Sequence, residues 1–213
     1  MKLLSIMSAI LLTGCSVFGK SDVETAPYTL LKADETLKIE IRNYGSMVLV
    51  STDMSGDGRN SAFRKLFRYI SGDNQVAREI SMTAPVFMNG QATAKQGNDE
   101  QGTEIAMTAP VLMNNQDGKA MMSFVMPKDF TLQNTPKPND PSVQVSEVKN
   151  YKVATIQFSG TLSKSNVAEH SKILQDWLKA QGYVATSAPI EAGYNGPMTL
   201  PMLRRNELLI EIN

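Results

Sequence analysis

The sequence is short of the residues that carry most metal and covalent chemistry. It has one cysteine, Cys15, and one histidine, His170, among 213 residues. A zinc site needs three or four nitrogen and sulfur ligands, which two such residues cannot supply. No nucleophile elbow or phosphate-binding loop is present, and the carboxylates are scattered rather than paired. We therefore predict that the protein is not an enzyme.

The sequence also lacks an excess of either charge and any second long apolar run. Lysine and arginine total 21, as do aspartate and glutamate, so the formal net charge is zero. Nucleic-acid binders normally carry a basic excess, and we expect no nucleic-acid partner. Beyond the N-terminal segment, no apolar stretch reaches the roughly 18 residues that could cross a bilayer. Attachment to a membrane would then depend on a lipid.

The N-terminal segment 1–14 is predicted to be a signal peptide, because Lys2 precedes an apolar run. Its end, Leu12-Thr13-Gly14-Cys15, resembles the lipobox of bacterial lipoproteins, in which the cysteine becomes the lipidated first residue of the mature chain. The alternative is an exported soluble protein with an incidental cysteine. In the lipoprotein interpretation no cysteine remains for a disulfide, and residues 15–35 form the lipidated N-terminus and a polar tether.

Ser16 follows the cysteine. In lipoproteins of enteric bacteria, an aspartate at that position is associated with retention in the inner membrane. By this resemblance we expect an outer-membrane location, facing the periplasm.

A ten-residue string occurs twice. Residues 80–89 read ISMTAPVFMN and residues 105–114 read IAMTAPVLMN, at an offset of 25. Apolar residues alternate in each copy, which predicts two strands. Pro85 and Pro110 lack an N–H for pairing, so each strand should be an edge strand or should be bent or bulged at its proline. The polar stretch from Gly90 to Glu104 is predicted to be an exposed loop.

The remaining elements follow from periodicity. A first helix should begin at Asn60 or Ser61, bury Phe63, Leu66, Phe67 and Ile70, and end at Gly72. A second helix should cover 166–181, with a capping box from Asn166 to Glu169 and a stop at Gly182. The sequence Asn43-Tyr44-Gly45 predicts a turn between two strands. Residues 127–141 are predicted to cross the surface as an irregular segment. Predicted strands cover residues 37–42, 47–52, 121–126, 143–149, 152–158, 183–188 and 207–212.

The chain also contains a weaker, longer repeat. Glu147 to Tyr151 matches Glu40 to Tyr44 at an offset of 107, and a strand, a Ser-Gly pair and a helix follow each. We infer a duplication, with halves at about 36–126 and 142–213 inside one domain, 36–213. The predicted fold is α+β: duplicated strand-strand-helix-strand halves that form a curved, barrel-like antiparallel sheet with two helices.

Several motifs in order resemble the SOUL haem-binding protein family over about residues 36–212. They are Ile-x-Met-Thr-Ala-Pro-Val, Ser123 to Pro127, Phe158-Ser159-Gly160, Tyr194 to Pro197, and Arg204 to Glu207. The resemblance implies a duplicated fold related to bacterial effector-binding domains. It also implies non-covalent binding of haem or another tetrapyrrole in a shallow apolar cleft, with basic side chains near the propionates. The motifs are structural, and no catalytic residue is carried over.

Seven residues are candidates for such a site. His170 is the only imidazole that could bind haem iron. The alternative is a residue at the edge of the core, because Val167, His170 and Leu174 share one side of a helix. Met82 and Met107, with the other strand methionines, either line the ligand space, where one could supply an axial thioether, or fill the core. The other candidates, which either hold the propionates or form a solvated helix face, are Arg64, Lys65, Arg68 and Tyr69.

Arg204, Arg205 and Glu207 are expected to fix the last strand by ion pairing. The resulting hypothesis is an envelope lipoprotein that binds haem or a similar flat apolar ligand without chemistry. The alternative is a structural or protein-interaction module that contacts a partner through the loop at Gly90 to Glu104. An enzyme acting on a small ligand ranks below both.

Overall fold

The computed structural model describes residues 24–54, 58–89, 120–196 and 199–213. No helix in these ranges is long and apolar enough to cross a membrane. The elements in chain order are β1 (Glu24–Thr25), β2 (Thr29–Asp34), β3 (Ile39–Asp53), α1 (Gly58–Ile70), β4 (Thr83–Ala84), β5 (Val86–Asn89), β6 (Met121–Val125), β7 (Val143–Phe158), α2 (Lys164–Ala180), β8 (Ile190–Gly193), a short 3-10 helix (Pro201–Leu203) and β9 (Asn206–Glu211).

Six strands form a closed antiparallel barrel. Their order is β3-β6-β5-β8-β9-β7, and β7 pairs back onto β3. Each half contributes a long strand, a helix and two short strands, and the halves meet at the β5–β8 and β3–β7 pairings. The predicted α+β fold with duplicated halves is therefore confirmed, although within each half the helix follows one long strand rather than two.

Three apolar clusters hold the layers together. The first takes residues from all six barrel strands and from neither helix, so it fills the barrel interior; it includes Tyr44, Phe87, Val125, Val153, Ala192 and Leu209. The second packs α1 onto the outside of the sheet through Leu66 and Tyr69. The third packs α2 onto the outside through Leu174 and Trp177. Both helices therefore lie outside the barrel.

The predicted turn at Asn43-Tyr44-Gly45 and its counterpart in the second half are wrong. β3 and β7 run through these sites and pair with each other from Ile39↔Ile156 to Thr52↔Val143. Asn150 takes a left-handed φ of 52°, which Asn tolerates better than most residues. Val148 and Tyr151, three residues apart, both lie in the interior cluster, whereas a regular strand would point them to opposite faces. The motif therefore changes which face is interior.

This change of face lets one strand serve both helices. On β3, Ile39 and Ile41 lie in the α2 cluster. Further along, Val48 and Val50 lie in the α1 cluster. The predicted turn would have reversed the chain at this motif. One strand could then not have packed against both helices.

The predicted tether is wrong over residues 24–34, which form β1 and β2. β2 pairs antiparallel with β3, and β1 pairs parallel with β4. Asp34 joins β2 to α2, because its carboxylate accepts a 2.9 Å hydrogen bond from the Trp177 indole. The other Asp34 oxygen accepts from the Leu37 N–H and tightens the β2–β3 turn.

The helix ends differ in part from the prediction. α1 begins at Gly58, ahead of the predicted start at Asn60 or Ser61. The cap of α2 is Ser163, whose hydroxyl accepts from the Asn166 N–H, so the predicted capping box is wrong. The Asn166 amide instead donates to backbone carbonyls in the preceding loop. The stop at Gly182 is confirmed, with φ 76° and the Tyr183 N–H bonded back to Leu178.

Four predicted segments in the second part of the chain can be scored. The strand at 121–126 and the final strand are confirmed as β6 and β9. Residues 127–141 form the irregular crossing. The strand at 183–188 is wrong: this segment has one bridge, from Ala185 to Ile212, and β8 begins only at Ile190.

The first copy of the repeated string is interrupted at its proline, as predicted. Pro85 separates β4 from β5, and the Ala84–Pro85 peptide bond is cis. The edge-strand alternative is wrong, because β5 lies between β6 and β8. Ile80, Met82, Val86 and Met88 face α1, whereas Ala84 lies in the barrel interior. The second copy and the loop at Gly90 to Glu104 lie outside the described residues.

One end of the barrel interior holds a buried ion network centred on Glu207. Its side chain is 0 % exposed and receives two hydrogen bonds from Arg42, which is 2 % exposed, at 2.7 and 3.0 Å. Tyr194 donates to the same carboxylate at 2.6 Å, and Arg205 adds bonds of 2.6 and 3.0 Å. Arg42 also donates to Glu40. Ion pairing of Arg205 with Glu207 at the last strand was predicted and is confirmed.

The charges of this network depend on one another. Burial alone would raise the pKa of Glu207, but the hydrogen bond and charge of Arg42, with the charge of Arg205 and the Tyr194 hydroxyl, bring it below its ordinary value. A carboxyl with a lowered folded-state pKa contributes stability at neutral pH, and this contribution is lost as the pH falls through that pKa.

We expect Arg42→Met to destabilise the protein by about 3–5 kcal/mol, because it leaves Glu207 buried without its main counter-charge. Glu207→Gln should remove part of the acid sensitivity of unfolding. The free energy of unfolding lost in the double variant should be smaller than the sum of the losses in the two single variants, by about 1–3 kcal/mol. Urea unfolding measures all three values.

The matched control is the exposed pair Lys172–Asp176 on α2. Its double-variant cycle should give a coupling below about 0.5 kcal/mol. Equal couplings in the two cycles would contradict a special role for the buried pair.

Candidate functional site

The outer face of α1 carries an exposed aromatic side chain. The residues that α1 buries against the sheet are Ala62, Leu66, Tyr69 and Ile70. Phe67 was predicted to be buried with them, and this is wrong: its side chain is 48 % exposed. Leu66 takes the central core position, and the next residue is turned about 100° around the helix, onto its flank.

Phe67 is held in place by stacking. Its ring lies 6.1 Å from the ring of Phe63, with an angle of 13° between the planes. Phe63 in turn packs edge-on against the buried Phe124 of β6 at 5.3 Å. The core thus fixes Phe63, and Phe63 supports Phe67, which leaves an aromatic surface open to solvent. Such a surface suits a flat apolar ligand.

A basic stripe runs beside the aromatic pair. Arg64 and Arg68 are exposed and four residues apart, so they neighbour one another on the helix, as Phe63 and Phe67 do. Arg68 lies 3.6 Å from the carboxylate of Asp140, an exposed pair too weak to hold the guanidinium firmly. Hydrogen bonds from Ser142, with the charges of Lys65 and Arg68, lower the pKa of Asp140.

The structure brings three of the predicted basic residues, Arg64, Lys65 and Arg68, onto one helix surface. Lys65 is half-buried, while the two arginines extend into solvent. Met82 is half-buried in the same cluster as Phe63. Met107 lies outside the described residues. The α1 surface therefore combines an aromatic face with exposed cationic groups at its border.

Tyr69 does not share this surface. Its hydroxyl is buried and donates a 2.7 Å hydrogen bond to the carbonyl of Pro136. Burial raises the pKa of Tyr69 to about 12, so the phenol is neutral at physiological pH. Its contact anchors the irregular crossing at 127–141 to α1.

His170 lies on the other helix. Its ring stacks on Phe158 at 4.2 Å, and its Nδ1 lies 2.8 Å from the carbonyl oxygen of Asn166. The ring is half-buried beside the α2 cluster, which contains Phe158, while Phe63 and Met82 belong to the α1 cluster. The structure does not group His170 with the α1 residues.

Two further features were missed by the sequence analysis. Arg59 at the start of α1 forms a 2.7 Å ion pair with Glu191 of β8; burial raises the pKa of Glu191, and the charge of Arg59 opposes this. Met202, 74 % exposed, and its neighbours Leu200 and Leu203 form a second exposed apolar group. The Leu-Pro-Met-Leu run could have indicated the second feature, whereas no local pattern indicates the first.

A cavity at the β2–β3 end of the barrel is a poor alternative site for a flat apolar ligand. Its lining is mostly charged and includes Asp34, Glu35, Lys38 and Glu40. Arg42 also faces it, but this guanidinium is already bound by two glutamates. Among the described residues, no group of three or more histidine, cysteine, aspartate or glutamate side chains could hold a metal ion.

We expect Tyr69→Phe to lower the free energy of unfolding by about 1 kcal/mol, because it removes one buried hydrogen bond and leaves the Pro136 carbonyl without that donor. Urea unfolding measures the loss. Gln133→Ala in the exposed part of the crossing serves as a control for general effects on this segment. An unchanged stability in Tyr69→Phe would contradict an anchoring role for the hydroxyl.

Comparison with solved structures supports the fold. The chain resembles the C-terminal domain of EcmrR, with a TM-score of 0.50 at 12 % identity over 82 % of this chain and 96 % of that one. It also resembles an uncharacterised conserved protein from Listeria innocua, with a TM-score of 0.54 at 11 % identity over 83 % and 93 %. A hydrolase from the same organism gives 0.54 at 9 % identity over 86 % and 94 %. At these identities the similarity concerns the fold alone.

Sequence comparison adds a relationship at the family level. The chain is 25 % identical over 199 residues to heme-binding protein 1 of Sus scrofa, covering 91 % of this chain and 94 % of that protein. The family model described as SOUL heme-binding protein matches residues 23–96 and 92–211. These matches span most of the chain and include the barrel and both helices. The chain therefore belongs to the SOUL haem-binding protein family.

Proposed function

We propose that this protein binds haem, or a similar flat tetrapyrrole, non-covalently and reversibly on the outer face of α1. Family membership and the pig relative support haem as the ligand. We infer the location of the binding site from the exposed ring of Phe67. This ring stacks on Phe63, which packs against the core, and two exposed arginines lie beside it.

The residues of α1 match both the apolar face and the anionic edge of such a ligand. Phe67 offers its ring to the apolar face of the macrocycle, and Phe63 keeps that ring from turning away. Arg64 and Arg68 lie on the adjoining stripe, where guanidinium groups can pair with the propionates at the ligand edge. Both arginines are exposed, so their guanidinium groups are accessible to a ligand. The surface thus matches a ligand that is flat, apolar and anionic along one edge.

The same geometry supports reversible binding. When bound, haem would supply a redox-active iron, and the chain's own role would be to hold the face and edge of the ring. The only histidine lies on α2, where it stacks on Phe158 of the α2 cluster. Met82 is a half-buried thioether in the cluster that contains Phe63. Without a histidine ligand at α1, affinity rests on stacking and ion pairing, and the proposal includes no chemical step.

We expect Phe67→Ala to weaken the binding of haemin about tenfold, because it removes the exposed stacking surface. The measurement is a haemin titration followed at the Soret band. Leu132→Ala is the matched control, since Leu132 is a similarly exposed apolar side chain on the crossing. Its affinity should equal that of the wild type, and an equal loss in both variants would contradict a site on α1.

Arg64→Ala with Arg68→Ala should also weaken binding and should reduce its dependence on salt concentration. His170→Ala should leave the Soret spectrum unchanged, whereas a shifted band would move the site to α2. Weak, unsaturable association of haemin with the wild type would instead favour the alternative, a structural or protein-interaction module of the envelope.

We further propose that the protein is a lipoprotein of the cell envelope, facing the periplasm from the outer membrane. The support is the sequence Leu12-Thr13-Gly14-Cys15 directly after an apolar run, with Ser16 next to the cysteine. Two acyl chains attached at Cys15 would suffice for stable anchoring without a membrane-spanning helix.

We expect Cys15→Ala to move the protein from the membrane fraction to the soluble or unprocessed fraction, because no lipid can be attached. Cell fractionation and labelling with a radioactive fatty acid measure this. Ser16→Asp is the matched variant: it should keep the label but shift the protein to the inner membrane. Continued membrane association of an unlabelled Cys15→Ala protein would contradict the lipoprotein proposal.

A further inference from the structure

The strand nearest the N-terminus, β1, lies at one end of the barrel. It pairs with β4 just before β5 begins, and the Glu24 carboxylate accepts a 3.1 Å hydrogen bond from the Lys128 N–H, three residues after β6 ends. β8, the other neighbour of β5, ends on the same side, where Gly193 pairs with Asn206 at the start of β9. We call this side the β1 end of the barrel.

The loop between β8 and β9 places an exposed apolar group at the β1 end. The group consists of Leu200, Met202 and Leu203, of which Met202 is 74 % exposed. The short 3-10 helix that carries them is tied to the barrel, because the Pro201 carbonyl accepts a 2.8 Å hydrogen bond from the Gly160 N–H, two residues after β7. We call these three side chains the apolar tip.

The backbone of the apolar tip is suited to an apolar medium, in which each unpaired N–H or C=O group is costly. The Leu203 N–H donates to the Leu200 carbonyl at 2.9 Å. The Arg204 N–H donates to the Pro201 carbonyl at 3.1 Å, and Pro201 has no N–H of its own. The Thr199 carbonyl accepts from the Arg204 side chain at 2.7 Å. The loop therefore exposes apolar side chains while its own hydrogen bonds satisfy much of its backbone.

The proposed lipid attachment limits how far the β1 end lies from a bilayer. Cys15 and Glu24 are nine residues apart, so the chain between them spans at most about 32 Å, whatever its conformation. α2 begins shortly after Gly160 and leads away from the β1 end for 17 residues, about 25 Å. A tether that had to pass the barrel would use most of its length. The β1 end is therefore the one that reaches the bilayer most easily.

An anchored barrel needs little affinity in its apolar tip. A lipid at Cys15 keeps the barrel close to the bilayer, which makes docking an intramolecular step with a high effective concentration. Three apolar side chains are too few to hold a free protein firmly on a membrane. On a tethered protein they are enough to fix which end faces the bilayer.

We propose that the β1 end docks onto the bilayer that holds the lipid at Cys15, with Leu200, Met202 and Leu203 inserted at the boundary of headgroups and acyl chains. This inference rests on the lipoprotein proposed above. Arg204, directly after the tip, supplies a positive charge at the depth of the lipid phosphates. The far end of α2 then points away from the membrane.

The test measures the depth of single residues in the lipidated protein. Lipidation consumes the thiol of Cys15, so Met202→Cys gives the chain one free thiol for an environment-sensitive NBD dye. The labelled protein is placed in vesicles of phosphatidylethanolamine and phosphatidylglycerol, with or without nitroxide-labelled lipids. We expect NBD emission at shorter wavelength than in water, and quenching of at least about threefold by the nitroxide lipids.

Val184→Cys is the matched control. Val184 is a similarly exposed apolar residue, and it lies just after α2, on the side away from the tip. Its label should keep the emission that it has in water and should escape quenching. Equal quenching at both positions, or quenching at neither, would overturn the proposal.

The same labels distinguish lipid from protein as the occupant of the tip. Emission at shorter wavelength without quenching by nitroxide lipids would show that protein, such as a second copy of this chain, covers Met202→Cys. That result would overturn the proposal. Leu200→Ser with Leu203→Ser should reduce the quenching of the Met202→Cys label several-fold, because the tip loses most of its apolar surface. Undiminished quenching in this variant would contradict insertion of the tip.

A second chain separates this proposal from the lipid attachment on which it rests. Full-length Cys15→Ser carries no lipid, and its uncleaved apolar leader serves as a different anchor. The Met202→Cys label in that chain should be quenched as in the lipidated protein. If mass spectrometry finds no lipid on the wild type while this quenching persists, the lipoprotein proposal fails and docking stands. If the lipid is present without quenching at Met202→Cys, docking fails and the lipoprotein proposal stands.

Discussion

The buried pair between Arg42 and Glu207 is the constraint on which the barrel depends. Two charges that are both removed from water are tolerated only when every neighbouring strand supplies its partner in register. Arg42 comes from β3 and Glu207 from β9, while Arg205 lies just before β9 and Tyr194 directly after β8. A slip of one residue in β9 would turn Glu207 to the outer face and leave the buried Arg42 paired only with Glu40. The network therefore selects one register for three strands.

The barrel interior holds this network and an apolar cluster, and the surface proposed to bind haem lies outside it, on α1. The two helices lie outside the barrel, each on its own apolar cluster, and the long strands reach both by changing face near Gly45 and Asn150. This separates the two tasks of the fold. Under the proposed function, substitutions on the exposed side of α1 change haem binding without disturbing the charges that hold the barrel closed.

The sequence predicted the class of fold and most elements, because duplication and alternation are local patterns. It failed at the Asn-Tyr motif, since a left-handed asparagine within a strand and a turn have the same local sequence. It identified the basic residues of α1 but assigned Phe67 to the core, because i, i+3, i+4 spacing does not show how wide the buried stripe is. The Arg42–Glu207 pair joins residues 165 positions apart, which no local pattern reveals.

The first copy of the repeated string shows how a closed barrel constrains a strand. On an open sheet, an edge strand leaves one row of its N–H and C=O groups free to pair with another chain. In the ring of six strands, β5 pairs with β6 on one side and with β8 on the other, so both of its edges are used. Its side chains are committed as well, because Phe87 lies inside the barrel and Met88 packs in the α1 cluster. Substitutions in this string therefore act on the barrel interior and on the packing of α1 together.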